Sequence, residues 1–127
     1  MGARCFEQVL VWQRAHQLVL SLYRYSDQFP RKEVFCLVPQ LRRAAISVPA
    51  NIAEGFKKKG KADKLRYMNI SQGSLEEVRY YLILARDLGY GDITGLMAAL
   101  EDVSKLLEGY IHGIITHMWA AQTHKSP

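Results

Sequence analysis

Basic residues gather in one segment of the chain, where together they could bind phosphate groups. Residues 31–66 hold ten Lys and Arg residues against three acidic ones, while the whole 127-residue chain carries a net charge of +5. Phosphate recognition needs several cations on one surface and tolerates many sequences. The alternatives are an acidic protein partner or a solvated loop that keeps the protein soluble. The pattern predicts a surface for RNA or DNA made of Arg42, Arg43, Lys57, Lys58, Lys59, Lys61, Lys64 and Arg66.

A second group of residues combines hydroxyl, amide and carboxylate side chains at helical spacing. Residues three or four apart share one face of a helix, so such groups could meet between two neighbouring helices. One interpretation is a buried hydrogen-bonded network that fixes the register of the helices. The alternative is a catalytic carboxylate with a raised pKa. The predicted network consists of Ser47, Asn51, Glu54, Ser74 and Glu77.

Enzyme signatures are absent from the sequence. It contains none of the glycine-rich phosphate or dinucleotide loops, no zinc-protease motif and no nucleophile-elbow motif. His112 and His117 are five residues apart, which does not place two metal ligands on one helix face, and His117 and His124 are two turns apart. The sequence therefore predicts a non-enzymatic protein without a metal or a cofactor.

The two cysteines, Cys5 and Cys36, follow no metal-ligand spacing. Both lie beside apolar residues, so we expect buried free thiols, which are typical of a reducing cytoplasm. No apolar run approaches the roughly 20 residues of a membrane span, and no signal-peptide core is present. These features predict a cytoplasmic protein without a membrane partner.

The elements that must position these residues are helices, because apolar residues recur at spacings of three and four and no segment alternates like a strand. Short connections make neighbouring helices antiparallel. We expect an all-α, up-down-up-down four-helix bundle in a single domain, residues 1–127. The predicted helices span about 7–28, 39–57, 62–88 and 92–121, with KKKGK as the loop between the second and third.

The same periodicity predicts which face of each helix is buried. Surplus apolar faces on helices one and four indicate either self-association or merely a wide core stripe. The expected core stripe of helix one is Trp12, Ala15, Val19, Leu22, Ser26 and Phe29, and that of helix three is Tyr67, Ile70, Ser74, Val78, Tyr81, Ala85 and Leu88.

One proline, two glycines and one aspartate are expected to shape the helices. Pro49 should kink helix two, and Gly73 should mark a close approach of another helix. Gly89 should end helix three in the left-handed conformation, and Asp92 should cap helix four.

Three segments of the chain resemble a known bacterial family, first noted as reading frames within intervening sequences of large-subunit ribosomal RNA genes. They are VWQRAHQLVLSLY, FPRKEVFCLVPQLRRAAISVPANIAEGF and GSLEEVRYYLILARDLGY, and the resemblance covers about residues 6–90. The chain departs from the family pattern at Val38-Pro39, which removes an expected helix cap. The positions shared with the family are Arg42, Arg43, Ser47, Asn51, Glu54, Gly55, Gly73, Ser74 and Glu77.

The resemblance implies a four-helix bundle that assembles into a ring-shaped homopentamer, and none of the shared positions has an agreed catalytic role. It also connects the chain to the accessory variability determinant of diversity-generating retroelements, a basic pentamer that partners a reverse transcriptase and nucleic acid. We therefore expect a non-enzymatic, nucleic-acid-binding homopentamer. The alternative is a protein-interaction adaptor, for instance to a reverse transcriptase, and a third hypothesis is an enzyme that uses Glu54 or Glu77.

Overall fold

The computed structural model describes residues 2–125, and the side chains of residues 2–117. The described residues form four α-helices and contain no strand, so the chain is all-α as predicted. Two short 3-10 turns, Phe6–Gln8 and Arg31–Glu33, precede the first and second helices. The helices are α1 (Leu10–Ser26), α2 (Leu37–Lys57), α3 (Lys61–Asp87) and α4 (Thr94–Lys125).

The helices form a four-helix bundle in which each helix packs against two others. α2 packs most extensively against α3, α1 contacts α2 and α4, and α3 contacts α4. The shared core is built mainly from aliphatic side chains, and its best-buried members include Leu22, Leu41, Ile52, Met68, Leu82, Leu100 and Leu107. Burying each such side chain stabilises the fold by roughly 1.5–3 kcal/mol before entropy costs. No helix among the described residues has the length and hydropathy needed to cross a membrane.

The connection between α3 and α4 follows the predicted capping chemistry. Gly89 has a φ of +83°, the left-handed conformation that glycine adopts at low cost. A carboxylate oxygen of Asp92 accepts hydrogen bonds from the Thr94 backbone N–H at 3.1 Å and from its hydroxyl at 2.7 Å. These bonds lower the pKa of Asp92, because they stabilise the charged carboxylate. α4 begins at Thr94, two residues after the residue that caps it.

The buried face of α3 differs from the predicted stripe. Ile70 and Leu88 are 42% and 49% exposed, whereas Met68, Ser71 and Leu82 are fully buried. The core face keeps Ser74, Val78 and Ala85 of the predicted stripe, and its other members, Met68, Ser71, Leu75 and Leu82, each lie one position after a predicted residue. Ser71 gives no apolar signal in the sequence, and it is buried because its hydroxyl donates a hydrogen bond to the Val48 carbonyl on α2.

The expectation that both cysteines are buried is wrong. Cys5 and Cys36 are exposed free thiols, one before the first 3-10 turn and the other immediately before α2. An apolar neighbour did not indicate burial here, because Phe35, next to Cys36, is itself 91% exposed. Both thiols lie in short connecting segments at opposite ends of α2, outside the helix faces that form the core.

α2 continues through Pro49 without ending, although proline supplies no N–H to the helix ladder. The adjacent carbonyl of Val48 accepts a hydrogen bond from the buried hydroxyl of Ser71 on α3, at 2.8 Å. This bond ties the two helices together beside the proline.

Replacing Ser71 with Ala removes that interhelical hydrogen bond while leaving the helices otherwise intact. We expect the free energy of unfolding to fall by about 1 kcal/mol, the usual net contribution of a buried hydrogen bond. Chemical denaturation followed by circular dichroism measures the change. An unchanged midpoint would show that the hydroxyl contributes nothing to stability.

Candidate nucleic-acid interface

The connection between α2 and α3 is shorter than the predicted loop KKKGK. Only residues 58–60 separate α2 from α3, because Lys57 is the last residue of α2 and Lys61 the first of α3. Lys57 and Lys59 are exposed, and Lys61 is half-buried. Lys57 and Lys61 thus lie on two helix ends, and Lys58 and Lys59 lie in the tight connection between them. We call the group Lys57, Lys58, Lys59, Lys61 and Arg66 the basic tip.

Tyr67 organises two members of the basic tip. The Lys58 ammonium lies 5.2 Å from the centroid of the Tyr67 ring, and the Arg66 guanidinium lies 4.9 Å from it. Such cation–π contacts hold a cation over the face of the ring while its charge stays accessible to solvent. Arg66 also pairs with Asp63 at 3.6 Å, an exposed pair that contributes little. The tip therefore presents charges that are partly ordered before any ligand arrives.

Lys64 points into the fold. Its ammonium group donates hydrogen bonds to the Phe56 carbonyl oxygen at 2.7 Å and to the Gly55 carbonyl oxygen at 3.4 Å. Carbonyls at the end of α2 attract a cation through the helix dipole, and the Gly55 oxygen also accepts the Lys58 backbone N–H at 3.1 Å. Burial lowers the pKa of Lys64, because it disfavours the charged form. The Lys64 ammonium is therefore engaged within the fold, at the end of α2.

Arg42 is also engaged within the protein. Its guanidinium donates hydrogen bonds to the Ser26 hydroxyl at 2.9 Å and the Tyr23 carbonyl at 3.2 Å, and it pairs with Asp27 at 2.8 Å. The same group lies 4.3 Å from the centroid of the Tyr23 ring. Together these contacts fasten the end of α1 to α2. Arg43, by contrast, is exposed.

The structure therefore does not bring all eight predicted cations together. Arg42 and Arg43 lie in the first half of α2, about 21 Å along the helix from Lys57 at 1.5 Å per residue. The other six cations share one end of the bundle, and one of them, Lys64, is turned inward. They are Lys57, Lys58, Lys59, Lys61, Lys64 and Arg66.

The predicted polar network is smaller than expected. Ser74 donates a hydrogen bond to the Ser47 hydroxyl at 2.8 Å, and the Asn51 amide donates to the Ser47 carbonyl and hydroxyl at 2.8 and 2.9 Å. Glu54 and Glu77 are exposed, because they point away from the buried face of their helices. Tyr81 donates only a long hydrogen bond, 3.5 Å, to Glu77. The network joins α2 to α3 and includes neither carboxylate.

A sequence model of the family described as 23S rRNA-intervening sequence protein matches residues 7–109. The chain belongs to this family. The match includes α1, α2, α3 and the first half of α4, and the whole basic tip lies within it. The resemblance to the intervening-sequence family is thereby confirmed. No curated protein matches the chain in sequence.

This intervening-sequence family member also has a feature that sequence reasoning missed. A cavity of about 260 Å³ lies between the residues before α1 and the end of α2. No motif marks it, because its wall is formed by the 3-10 turn Phe6–Gln8, which the periodicity assigned to helix one. We call it the N-terminal cavity; its lining residues are Arg4, Cys5, Phe6, Glu7, Ala53, Phe56 and Lys57.

Proposed function

We propose that this protein is a non-enzymatic RNA-binding scaffold that contacts the phosphate backbone through the basic tip. One observation carries the proposal: five cations lie within ten residues, on two helix ends and in the three-residue connection that joins them. Cations at this density neutralise neighbouring phosphates and release counterions, which favours binding to any sequence. The family description supports RNA over DNA as the natural ligand.

The proposal includes an assembly. The four helices would run up-down-up-down, and five copies would form a ring. Contacts between α2 and α3 support the antiparallel direction, because Lys64 meets Phe56, whereas Ser74 meets Ser47. Large apolar side chains left exposed on α1 and α2, such as Leu20 and Ile46, support self-association. Five basic tips on one ring would convert a weak contact into a strong one through multivalency.

The test of RNA binding is a salt series on two matched double variants. Lys59→Gln with Lys61→Gln removes two charges from the basic tip without touching the cations that pack on Tyr67. We expect the slope of log affinity against log salt to fall by about 1.4 per protomer, because each phosphate contact to a single strand contributes about 0.7. Fluorescence anisotropy with labelled RNA measures it.

The matched control is Arg31→Gln with Lys32→Gln, which removes the same charge at the other end of α2. We expect this variant to keep the slope of the unmodified protein. If both variants lose the same slope, net charge drives binding and the basic tip is not the contact surface. Light scattering on the same samples measures the number of copies, and a monomer would refute the ring.

The alternative function is a protein-interaction adaptor, for example an accessory subunit of a retroelement reverse transcriptase. A groove of about 490 Å³ between α1 and α2 favours it, because exposed Tyr23, Val34 and Ile46 line it together with Arg43. Capture of a stoichiometric protein partner that resists nuclease treatment would support this alternative. A cytoplasmic location is proposed for either function, since the free thiols of Cys5 and Cys36 suit a reducing compartment.

A further inference from the structure

The N-terminal cavity combines chemical groups that a purely structural gap does not need. Phe6 and Phe56 contribute aromatic surface, Arg4 and Lys57 contribute positive charge, and Glu7 contributes a carboxylate. Lys57 belongs both to this cavity and to the basic tip. A strand bound along the tip would therefore reach the cavity at Lys57.

Hydrogen bonds and ring contacts hold the first wall of the cavity in place. The Arg4 backbone N–H donates to the Gln8 side-chain oxygen at 2.8 Å, and the Gln13 amide donates to the Glu7 carbonyl at 2.8 Å. Phe6 packs edge-on against Trp12 with ring centroids 5.0 Å apart. The segment before α1 is therefore fixed to α1.

Lys64 fixes the opposite wall, since its ammonium bonds the Phe56 carbonyl at 2.7 Å. With both walls held by the protein itself, the cavity is formed before a ligand binds, which lowers the entropy cost of binding.

The size and lining of the cavity select a class of ligand. Its volume of about 260 Å³ lies below the roughly 300–1,000 Å³ of pockets for drug-sized molecules, so it suits a single nucleobase with part of its sugar. Aromatic side chains stack on the flat face of a base that has left its own stack. Arg4 and Lys57 are cations that suit the adjoining phosphate.

The carboxylate of Glu7 adds a preference among bases. An ionised carboxylate only accepts hydrogen bonds, so it favours a base that offers an exocyclic amino group. Cytosine, adenine and guanine offer such a donor, and cytosine is the one of them with a single ring, so it leaves the most room in the cavity for part of its sugar. Uracil offers a carbonyl oxygen at the position of the cytosine amino group.

We propose that the N-terminal cavity binds one unstacked cytidine nucleotide of a single-stranded RNA held by the basic tip. This inference rests on the proposed RNA-binding function and adds to it a base-recognition site and a preference for single strands. A base within a duplex is not available to the cavity, because its faces and its pairing edge are occupied.

The two exposed cysteines provide a direct test on the full-length chain. Cys5 lines the N-terminal cavity, whereas Cys36 lies at the other end of α2, about 30 Å away along the 21-residue helix. The protein is treated with iodoacetamide with and without oligocytidine RNA, at concentrations that anisotropy shows to be saturating. We expect the alkylation rate of Cys5 to fall about tenfold at roughly 90% occupancy, since only the free fraction reacts. The rate at Cys36 should stay unchanged.

A charge-matched pair of variants tests the base preference. We expect the unmodified protein to bind oligocytidine roughly tenfold more tightly than oligouridine, the usual scale for one discriminated base. Glu7→Gln should abolish this preference, because the amide both donates and accepts. Glu54→Gln is the control, since Glu54 is exposed on α2 outside the cavity lining and its replacement removes the same charge.

The outcomes separate this inference from the function on which it rests. Salt-dependent RNA binding with unchanged alkylation of Cys5 overturns the cavity site and leaves the scaffold function standing. Absence of RNA binding at low salt overturns the scaffold function itself. Protection of Cys5 by cytidine monophosphate alone, without oligonucleotide binding, overturns the RNA-strand ligand and identifies a free-nucleotide pocket.

Discussion

Gly55→Ala is expected to destabilise the protein by about 1–3 kcal/mol, the usual cost of overpacking a core. Gly55 is buried in the last turns of α2. A methyl group there would lie 2.5 Å from the end of the Met68 side chain and 2.8 Å from the Cβ atom of Tyr67. Met68 can bend away, but the Cβ of Tyr67 moves only with the backbone of α3. The substitution must therefore push α2 and α3 apart beside the basic tip.

Gly73→Ala is the matched control and is expected to have the opposite sign. Nothing lies within 4 Å of a methyl group at Gly73, which is exposed in mid-α3. Alanine favours a helix interior by about 1 kcal/mol over glycine, so this variant should be more stable than the unmodified protein. Denaturant unfolding of both variants provides the comparison. Stabilisation by both substitutions would mean that α2 and α3 do not approach closely at Gly55.

Arg42→Met is expected to lower stability by about 2 kcal/mol and to leave RNA binding intact. Methionine keeps much of the aliphatic volume but removes charge-assisted hydrogen bonds to Ser26, Tyr23 and Asp27, and bonds to charged groups contribute about 1.5–3 kcal/mol. The salt dependence of RNA affinity should not change, because this guanidinium already has its partners within the fold. A reduced slope would show that Arg42 contacts phosphate after all.

Arg43→Met supplies the adjacent control. Arg43 is exposed, and exposed substitutions change stability by less than about 0.5 kcal/mol. Arg43 lies outside the basic tip, about 21 Å along α2 from Lys57, so this variant should keep the salt slope of the unmodified protein. The two neighbouring arginines should thus differ in their effect on unfolding and agree in leaving RNA binding unchanged. Thermal melts and anisotropy on the two variants measure both effects.

Much of the helical architecture could be predicted from apolar spacing and caps. The end of α3 near Gly89 follows from the left-handed conformation that glycine adopts, and the start of α4 at Thr94 follows from capping by the Asp92 carboxylate. Both are local properties of the sequence. The core face of α3 could be predicted only in part: Ser74, Val78 and Ala85 lie in the predicted stripe. Ser71 could not be predicted, because it is buried by a hydrogen bond to a carbonyl on another helix. Likewise, Gly55 and Gly73 look alike in sequence, and only the packing of α2 on α3 distinguishes them.

The candidate site was predictable as a group of cations but not as a surface. Lys64 and Arg42 are satisfied by backbone carbonyls of Phe56 and Tyr23, and a carbonyl acceptor exists at every residue, so it leaves no signal in the sequence. The N-terminal cavity depends on a 3-10 turn where periodicity favoured continuous helix. Charge clustering in the sequence therefore indicated the segment that holds the basic tip. The directions of the individual side chains could be read only from the fold.

The tight connection between α2 and α3 also bears on how the protein folds. A three-residue connection costs little chain entropy to close, and the two consecutive helices that it joins make the most extensive contacts of any helix pair. We expect residues 37–87 to form a helical hairpin early, before α4 has left the ribosome during synthesis. Amide protons in this hairpin should exchange most slowly in the native state. The lysines proposed to bind RNA would then stand at the turn around which the nascent chain first becomes ordered.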